Sequence, residues 1–277
     1  MTETLVLRRA AELSLHEEEL TLGRVAALSR RGPGKDDDNE DAILVHALGD
    51  RALLLAVADG CGGLPAGAEA AEAALAALLA TLSRHSEEGT EPANLVLEGF
   101  DAANKAVLGL GLGAGTTLAV ALVEPGKVRC YHAGDTRILI CGQRGKRKLL
   151  TVDHSPSAFL HEAGALSEVE AIGHEDRNLI FNLVGSPEMR VEVGSSRRLA
   201  AMDTVVIATD GLGDNLLVEE IVELARKGPL DRAARELCAL ARERMASGGP
   251  GIPGHPDDLS VVLYRAGRAA LRTAPPS

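Results

Sequence analysis

Apolar residues along this chain fall into two kinds of run. Short, nearly unbroken ones recur as RVAAL (24–28), AILVHAL (42–48), RALLLAVAD (51–59), DTVVIATD (203–210) and DLSVVLYR (258–265). Runs of that length without polar alternation predict strands covered on both faces. GTTLAVALV (Gly115 to Val123), KVRCYHAG (Lys127 to Gly134) and TRILICG (Thr136 to Gly142) are separated by PG and GD turns and predict antiparallel neighbours, and EMRVEV (188–193) predicts a further strand.

The second kind is longer and has helical spacing. Ala and Leu dominate from Ala66 to Leu82, after the turn-forming CGGLPAG of 61–67, and predict a helix buried nearly all round. From Pro92 to Leu108, Val96, Phe100, Ala103 and Val107 recur at spacings of 4, 3 and 4 and share one helix face, so the two segments predict a helical hairpin. Val218 to Lys227 and Leu230 to Met245 predict a second helical layer before the last strand. Between Arg144 and Ser196 the pattern weakens into short helical pieces of the kind found in flaps, and RTAPPS (272–277) predicts a disordered tail. Neither an interdomain linker nor a repeat is visible. The expectation is a single α+β domain over 1–277, a two-sheet sandwich with helices outside.

Composition narrows the function. The chain has 277 residues, 45% of them apolar, and a formal charge of -11 with no Trp, two Tyr and three Phe. That argues against nucleic acid, which needs a cationic footprint and stacking surfaces. Neither a signal peptide nor a membrane span is predicted, and four cysteines scattered without a CxxC pair suit a reducing compartment, so a cytoplasmic location is expected.

Aspartates stand at the ends of apolar strands or in the turns beside them: Asp59 in VADG, Asp135 in HAGD, Asp210 in IATDG and Asp257 in PDDLSVVL. Each alone reads as a turn or cap residue. Together they are a different matter, because two carboxylates about 4 Å apart repel by roughly 4 kcal/mol at an effective dielectric near 20. Bound cations relieve such a cluster. Oxygen ligands without cysteine point to a hard ion, Mg²⁺ or Mn²⁺. The stretch GPGKDDDNEDAIL (Gly32 to Leu44) crowds five carboxylates into 36–41, which by itself reads as a solvated acidic loop.

NEDAIL (39–44), AVADGCGG (56–63), GTTLAVAL (115–122), HAGDTRILI (132–140), TVDHS (151–155), ATDGL (208–212) and DDLSVVL (257–263) occur in an order that resembles the bacterial PP2C-type (PPM family) metal-dependent protein serine/threonine phosphatases, over about residues 23–264. The resemblance implies a four-layer α/β/β/α sandwich, two antiparallel β-sheets flanked by helix pairs. It implies hydrolysis of phosphoserine and phosphothreonine in proteins by a water or hydroxide bridging two Mn²⁺ or Mg²⁺ ions. Asp59 would bridge both ions, the Gly60 carbonyl would bind the second, and Asp210 and Asp257 would complete the first. Glu40 and Asp41 would lie beside the second, mainly through water, leaving Asp36 to Asp38 as loop charge. Asp135 with Asp210 would hold a weaker third ion. Implied partners are phosphorylated proteins, targets of a Ser/Thr kinase.

The chain departs from that family at one point. An arginine that grips the substrate phosphate usually stands five residues before the aspartate of the NED motif, where this sequence has Asp36. Lys35 is the nearest cation and Arg31 lies further upstream, and these two are the candidate phosphate-binding residues. Cys61 follows the DG of VADGC and is expected to pack. Two other readings follow: a catalytically weak regulatory module that binds phosphoprotein, and nucleotide binding by GLGLGAGTT (Gly109 to Thr117), which lacks the lysine of a P-loop.

Overall fold

Both faces of the central strands are covered, as their unbroken apolar sequences require. The protein is described by a computed structural model over residues 4–61, 63–64, 66–85, 90–249, 251 and 253–267; the tail at 272–277 lies outside the described residues. The chain begins with β1 (Thr4–Arg8), β2 (Ser14–Leu20), β3 (Gly23–Arg30), β4 (Asp41–Leu48) and β5 (Ala52–Asp59), followed by α1 (Gly67–His85) and α2 (Pro92–Gly109). Next come β6 (Leu118–Glu124), β7 (Lys127–Ala133), β8 (Arg137–Cys141), β9 (Arg147–Leu150), α3 (Pro156–Glu162), α4 (Glu168–Ile172), β10 (Glu192–Val193) and β11 (Arg197–Arg198). It closes with β12 (Thr204–Ala208), α5 (Asp210–Gly213), α6 (Val218–Ala225), α7 (Leu230–Ser247) and β13 (Leu259–Ala266).

One sheet runs β1-β4-β5-β6-β7-β10 with β11 also on β7, and the other runs β2-β3-β13-β12-β8-β9. Every pairing is antiparallel. The period of two sorts side chains into three cores. Leu53, Leu55 and Val57 of β5 meet Val205 and Ile207 of β12 between the sheets. Leu54, Ala56 and Ala58 turn the other way, onto Leu78 of α1 and Phe100 of α2. Val206 and Ala208 pack on Ile221 and Leu237 of α6 and α7. This is the expected α/β/β/α sandwich.

Three details differ from the sequence expectation. α1 is not buried all round: Glu69, Ala76, Ala80 and Ser83 form an exposed stripe, because the helix has one sheet beneath it and one helix beside it. EMRVEV contributes only Glu192–Val193 as strand, since the Asn182 side chain takes the Arg190 N–H (2.9 Å) and donates to its carbonyl (2.7 Å) in place of a ladder partner. β1 and β2 extend one edge of each sheet although their sequences, TLVLR and SLHEEEL, carry little apolar signal.

Candidate metal centre

The acids meet at one edge of the sandwich, delivered by both sheets. Asp41 opens β4 and Asp59 closes β5, and the two face each other in the ladder. Asp135 lies in the turn from β7 to β8, Asp210 follows β12, and Asp257 precedes β13. The ends of these strands are tied from the backbone outward. Asp59 donates its N–H to Thr117 Oγ1 (3.0 Å), while its carbonyl accepts from Thr116 Oγ1 (2.8 Å) and Thr117 N–H (2.8 Å). The GTT triplet that suggested a nucleotide loop therefore serves to fix Asp59. Across the sheets, Thr209 donates to Asp41 Oδ2 (3.1 Å), and Asn39 Oδ1 accepts the Asp41 N–H (2.9 Å).

Two glycines allow the close approach. A Cβ on Gly60 would lie 2.2 Å from the Gly67 carbonyl oxygen, and one on Gly211 would lie 1.9 Å from the Asp258 carbonyl oxygen. Gly67 in turn would meet Glu40 Oε1 at 2.3 Å, so the Glu40 carboxylate sits against the start of α1.

Electrostatics mark the edge as under-compensated. Asp41 and Asp59 are held well above the usual carboxylate range, first by burial and then by neighbouring acids, Asp258 for the former and Asp41 for the latter. Asp135 is raised likewise by burial and by Asp210. Asp210 is pushed up to about 7 by burial and Asp214, and Asp214 to about 6 by burial, against the pull of Arg137. Asp257 is also pushed up to about 7, first by desolvation among neighbouring groups and then by Asp210, but its side chain is exposed, so water screens part of the shift. Asp41 Oδ1 is buried with no hydrogen-bond partner, an orphan that a cation or its water would satisfy. A donor set made only of oxygens, with repulsion to relieve and an orphan lone pair, fits a hard divalent ion.

The remaining predicted residues are placed less simply. Lys35 Nζ lies 2.7 Å from Glu40 Oε2 and 2.6 Å from Asp258 Oδ2. Burial alone would lower its pKa, but these two acids raise it above the ordinary lysine value. Arg31 donates to the carbonyls of Asp36 and Asp37, both at 3.3 Å, and so braces the acidic loop. Asp38 pairs with Arg9, which also holds Glu69 and Glu72 of α1. Cys61 is held as a neutral thiol, pushed up to about 12 by burial and the nearby Asp135, Asp210 and Glu40.

Sequence reasoning missed four participants. Asp258, with a side chain 3% exposed, accepts N–H groups of Gly32 (2.8 Å) and Glu40 (2.9 Å) as well as Lys35. Asp214 lies beside Asp210, and Arg137 is held by Asp153 (2.7 Å) and the Gly213 carbonyl (2.9 Å) close to both. Arg177, from the flap segment, reaches Asp214 at 3.4 Å and with Asp210, Asp257 and His255 lines a small cavity of about 140 Å³. A larger cleft of about 300 Å³ runs from Asp135 and Asp210 between β9 and the flap helices α3 and α4.

One further group of donors is compact: a nitrogen from each of His132 and His154 and an oxygen of Glu192 lie within 4.8 Å of one another. Hydrogen bonds within the fold already engage these donors. The Gly134 N–H donates to His154 Nδ1 (3.0 Å), so the proton of the neutral ring is on Nε2, facing Glu192 Oε2 at 3.3 Å. The group braces the turn that carries Asp135. Among the described residues it is the only group of three such donors at that spacing.

A β-sandwich between helix pairs with an acid-lined edge is the framework of a metal-dependent phosphatase. The Protein phosphatase 2C family profile matches residues 33–246, and the chain belongs to that family. A protein phosphatase 2C-type protein of Streptococcus pyogenes is 33% identical over 242 residues, 83% of this chain and 92% of that one. The serine/threonine protein phosphatase PstP of Mycobacterium tuberculosis is 30% identical over 250 residues, 87% of this chain but 44% of that protein. The crystal structure of PstP superposes with a TM-score of 0.73 at 30% identity, covering 88% of this chain and 99% of the other. The PstP catalytic domain in complex with 2 manganese ions gives a TM-score of 0.69 at 29% identity, over 88% and 98% of the two chains. The enzyme is thus a metal-dependent protein serine/threonine phosphatase of the PP2C type.

Proposed function

We propose that the acid edge holds two Mn²⁺ or Mg²⁺ ions and there hydrolyses phosphoserine and phosphothreonine in proteins phosphorylated by a Ser/Thr kinase. The observation that carries this is the convergence of Asp41, Asp59, Asp210 and Asp257 from both sheets, with Asp41 Oδ1 buried and unpartnered. Asp59, Asp210 and Asp257 would hold one ion. Asp59 and the Gly60 carbonyl would hold the other, with Glu40 and Asp41 beside it through water, and Asp135 with Asp210 a weaker third. Such ions supply neutralisation of the phosphate oxygens and acidification of the attacking water.

The chain's own part is positional. Thr116 and Thr117 hold the Asp59 backbone, and Thr209 orients Asp41. Cys61 stays protonated and packs. No helix among the described residues is long and apolar enough to cross a membrane. We read residues 1–277 as one phosphatase domain acting in the cytoplasm. The test is phosphate release from a phosphothreonine peptide with Mn²⁺, with and without chelator, for the wild type and for Asp59→Asn and Asp210→Asn. Both variants and the chelated enzyme should fall to background. Phosphopeptide binding by the wild type without turnover would instead favour the regulatory module.

A further inference from the structure

The resemblance read from the sequence leads one to expect a phosphate-gripping cation near Lys35, yet Lys35 is engaged elsewhere. Of the three N–H groups on its ammonium, two go to carboxylates, Glu40 Oε2 at 2.7 Å and Asp258 Oδ2 at 2.6 Å. These are not loose surface pairs: the side chains of Lys35 and Asp258 are 24% and 3% exposed. Asp258 Oδ1 takes the Gly32 N–H, and Oδ2 takes the Glu40 N–H along with the lysine. Lys35 thereby completes a buried knot that ties the loop 32–40 to the start of β13, one residue from Asp257. A phosphate that drew the lysine away would leave a buried carboxylate short of a charged donor.

The same geometry places a fixed positive charge at the end of the metal edge. Glu40 lies against Gly67 and beside Gly60, whose N–H donates to the Glu40 carbonyl at 3.2 Å. A divalent ion at the Gly60 side of the edge would share the Glu40 carboxylate with an ammonium already hydrogen-bonded to it.

We propose that Lys35 is a positioning residue, a built-in counter-cation that holds Glu40 and Asp258 in place and competes with the divalent ion beside Glu40, keeping its affinity low. The proposal rests on the metal-edge reading. Two like-signed charges within several ångströms, partly shielded by protein, oppose one another enough to shift a binding constant by about tenfold.

Calorimetric titration of Mn²⁺ into the metal-free 277-residue chain tests this, with inorganic phosphate titrated afterwards into the Mn²⁺-saturated form. Lys35→Met should bind the Mn²⁺ beside Glu40 about tenfold more tightly, with phosphate affinity unchanged, and Lys35→Arg should resemble the wild type. Should Lys35→Met prove unstable, the same gain is expected in Lys35→Met/Asp258→Asn relative to Asp258→Asn, where the buried acid is no longer uncompensated. Unchanged Mn²⁺ affinity with weakened phosphate binding would make Lys35 the phosphate ligand and overturn the proposal. Weakened Mn²⁺ binding in Lys35→Met would overturn it too. Mn²⁺ binding that survives Asp59→Asn intact would overturn the metal-edge reading itself, and this inference with it.

Discussion

Replacing Asp59 by Asn should make the metal-free protein more stable and the metal-loaded protein less so. Asp59 faces Asp41 across the β4–β5 ladder, where opposed Cβ atoms are about 4.5–5.5 Å apart. Two ionised carboxylates about 5 Å apart repel by about 3 kcal/mol at an effective dielectric near 20. Burial and Asp41 both disfavour the ionised form of Asp59 and hold its carboxyl well above the usual range, which offsets part of that repulsion. A net gain of about 1–3 kcal/mol remains, which in a domain of this size raises Tm by about 3–10 °C. With Mn²⁺ at about 100 times Kd, the wild type gains about 2.7 kcal/mol by linkage, and Asp59→Asn gains little. Melting curves in chelator and in Mn²⁺ should therefore cross over. A variant that melts below the wild type in chelator, or that gains as much from Mn²⁺, would refute the reasoning.

The metal-free wild type should also lose stability as pH rises from about 5 to 8. Asp210 is held at about 7 and Asp214 at about 6 when folded against an ordinary 3.8, so the native state binds more protons across that window and the slope of stability with pH is negative; thermal melts in chelator check this, and Mn²⁺ should flatten the slope. Gly60→Ala sets a Cβ 2.2 Å from backbone, whereas Gly99→Ala meets the end of a Leu78 side chain at 2.3 Å. Urea denaturation should show a cost above about 3 kcal/mol for the first and about 1–2 kcal/mol for the second. Asp135→Ala should lower turnover while leaving calorimetric affinity for the two tighter ions near wild type; unchanged turnover across a Mn²⁺ titration would return Asp135 to the status of a turn residue.

Much of the edge was legible because its acids interrupt apolar strands. VADG and IATDG place a charge where the hydrophobic run ends, and a charge there needs a partner. The division of labour between Asp257 and Asp258 was not legible. They are neighbours of identical chemistry in the segment just before β13, but one faces solvent and the edge while the other turns inward, onto Gly32, Lys35 and Glu40 more than two hundred residues away in sequence. Lys35 was read by its distance from the NED motif, which says nothing of the acid waiting across the fold. β1 and β2 escaped for a different reason: as edge strands they bury little, Leu7 in β1 and no residue fully in β2, too little to leave a pattern. Arg177 and Asp214 lie in polar stretches where charge is unremarkable until packing brings them together.

Since Asp41 and Asp59 lie in one sheet and Asp210 and Asp257 flank strands of the other, an ion at the edge would be a cross-link between layers that otherwise meet chiefly through apolar side chains and the Thr209–Asp41 hydrogen bond. Sliding or splaying of one sheet against the other would tear the coordination apart. Such motions govern the partial openings through which buried amides exchange with solvent. Loading the edge thus couples the two halves of the sandwich into a single cooperative unit, and amide protection should rise together in β5 and β12, strands that share no hydrogen bond, as the ions bind.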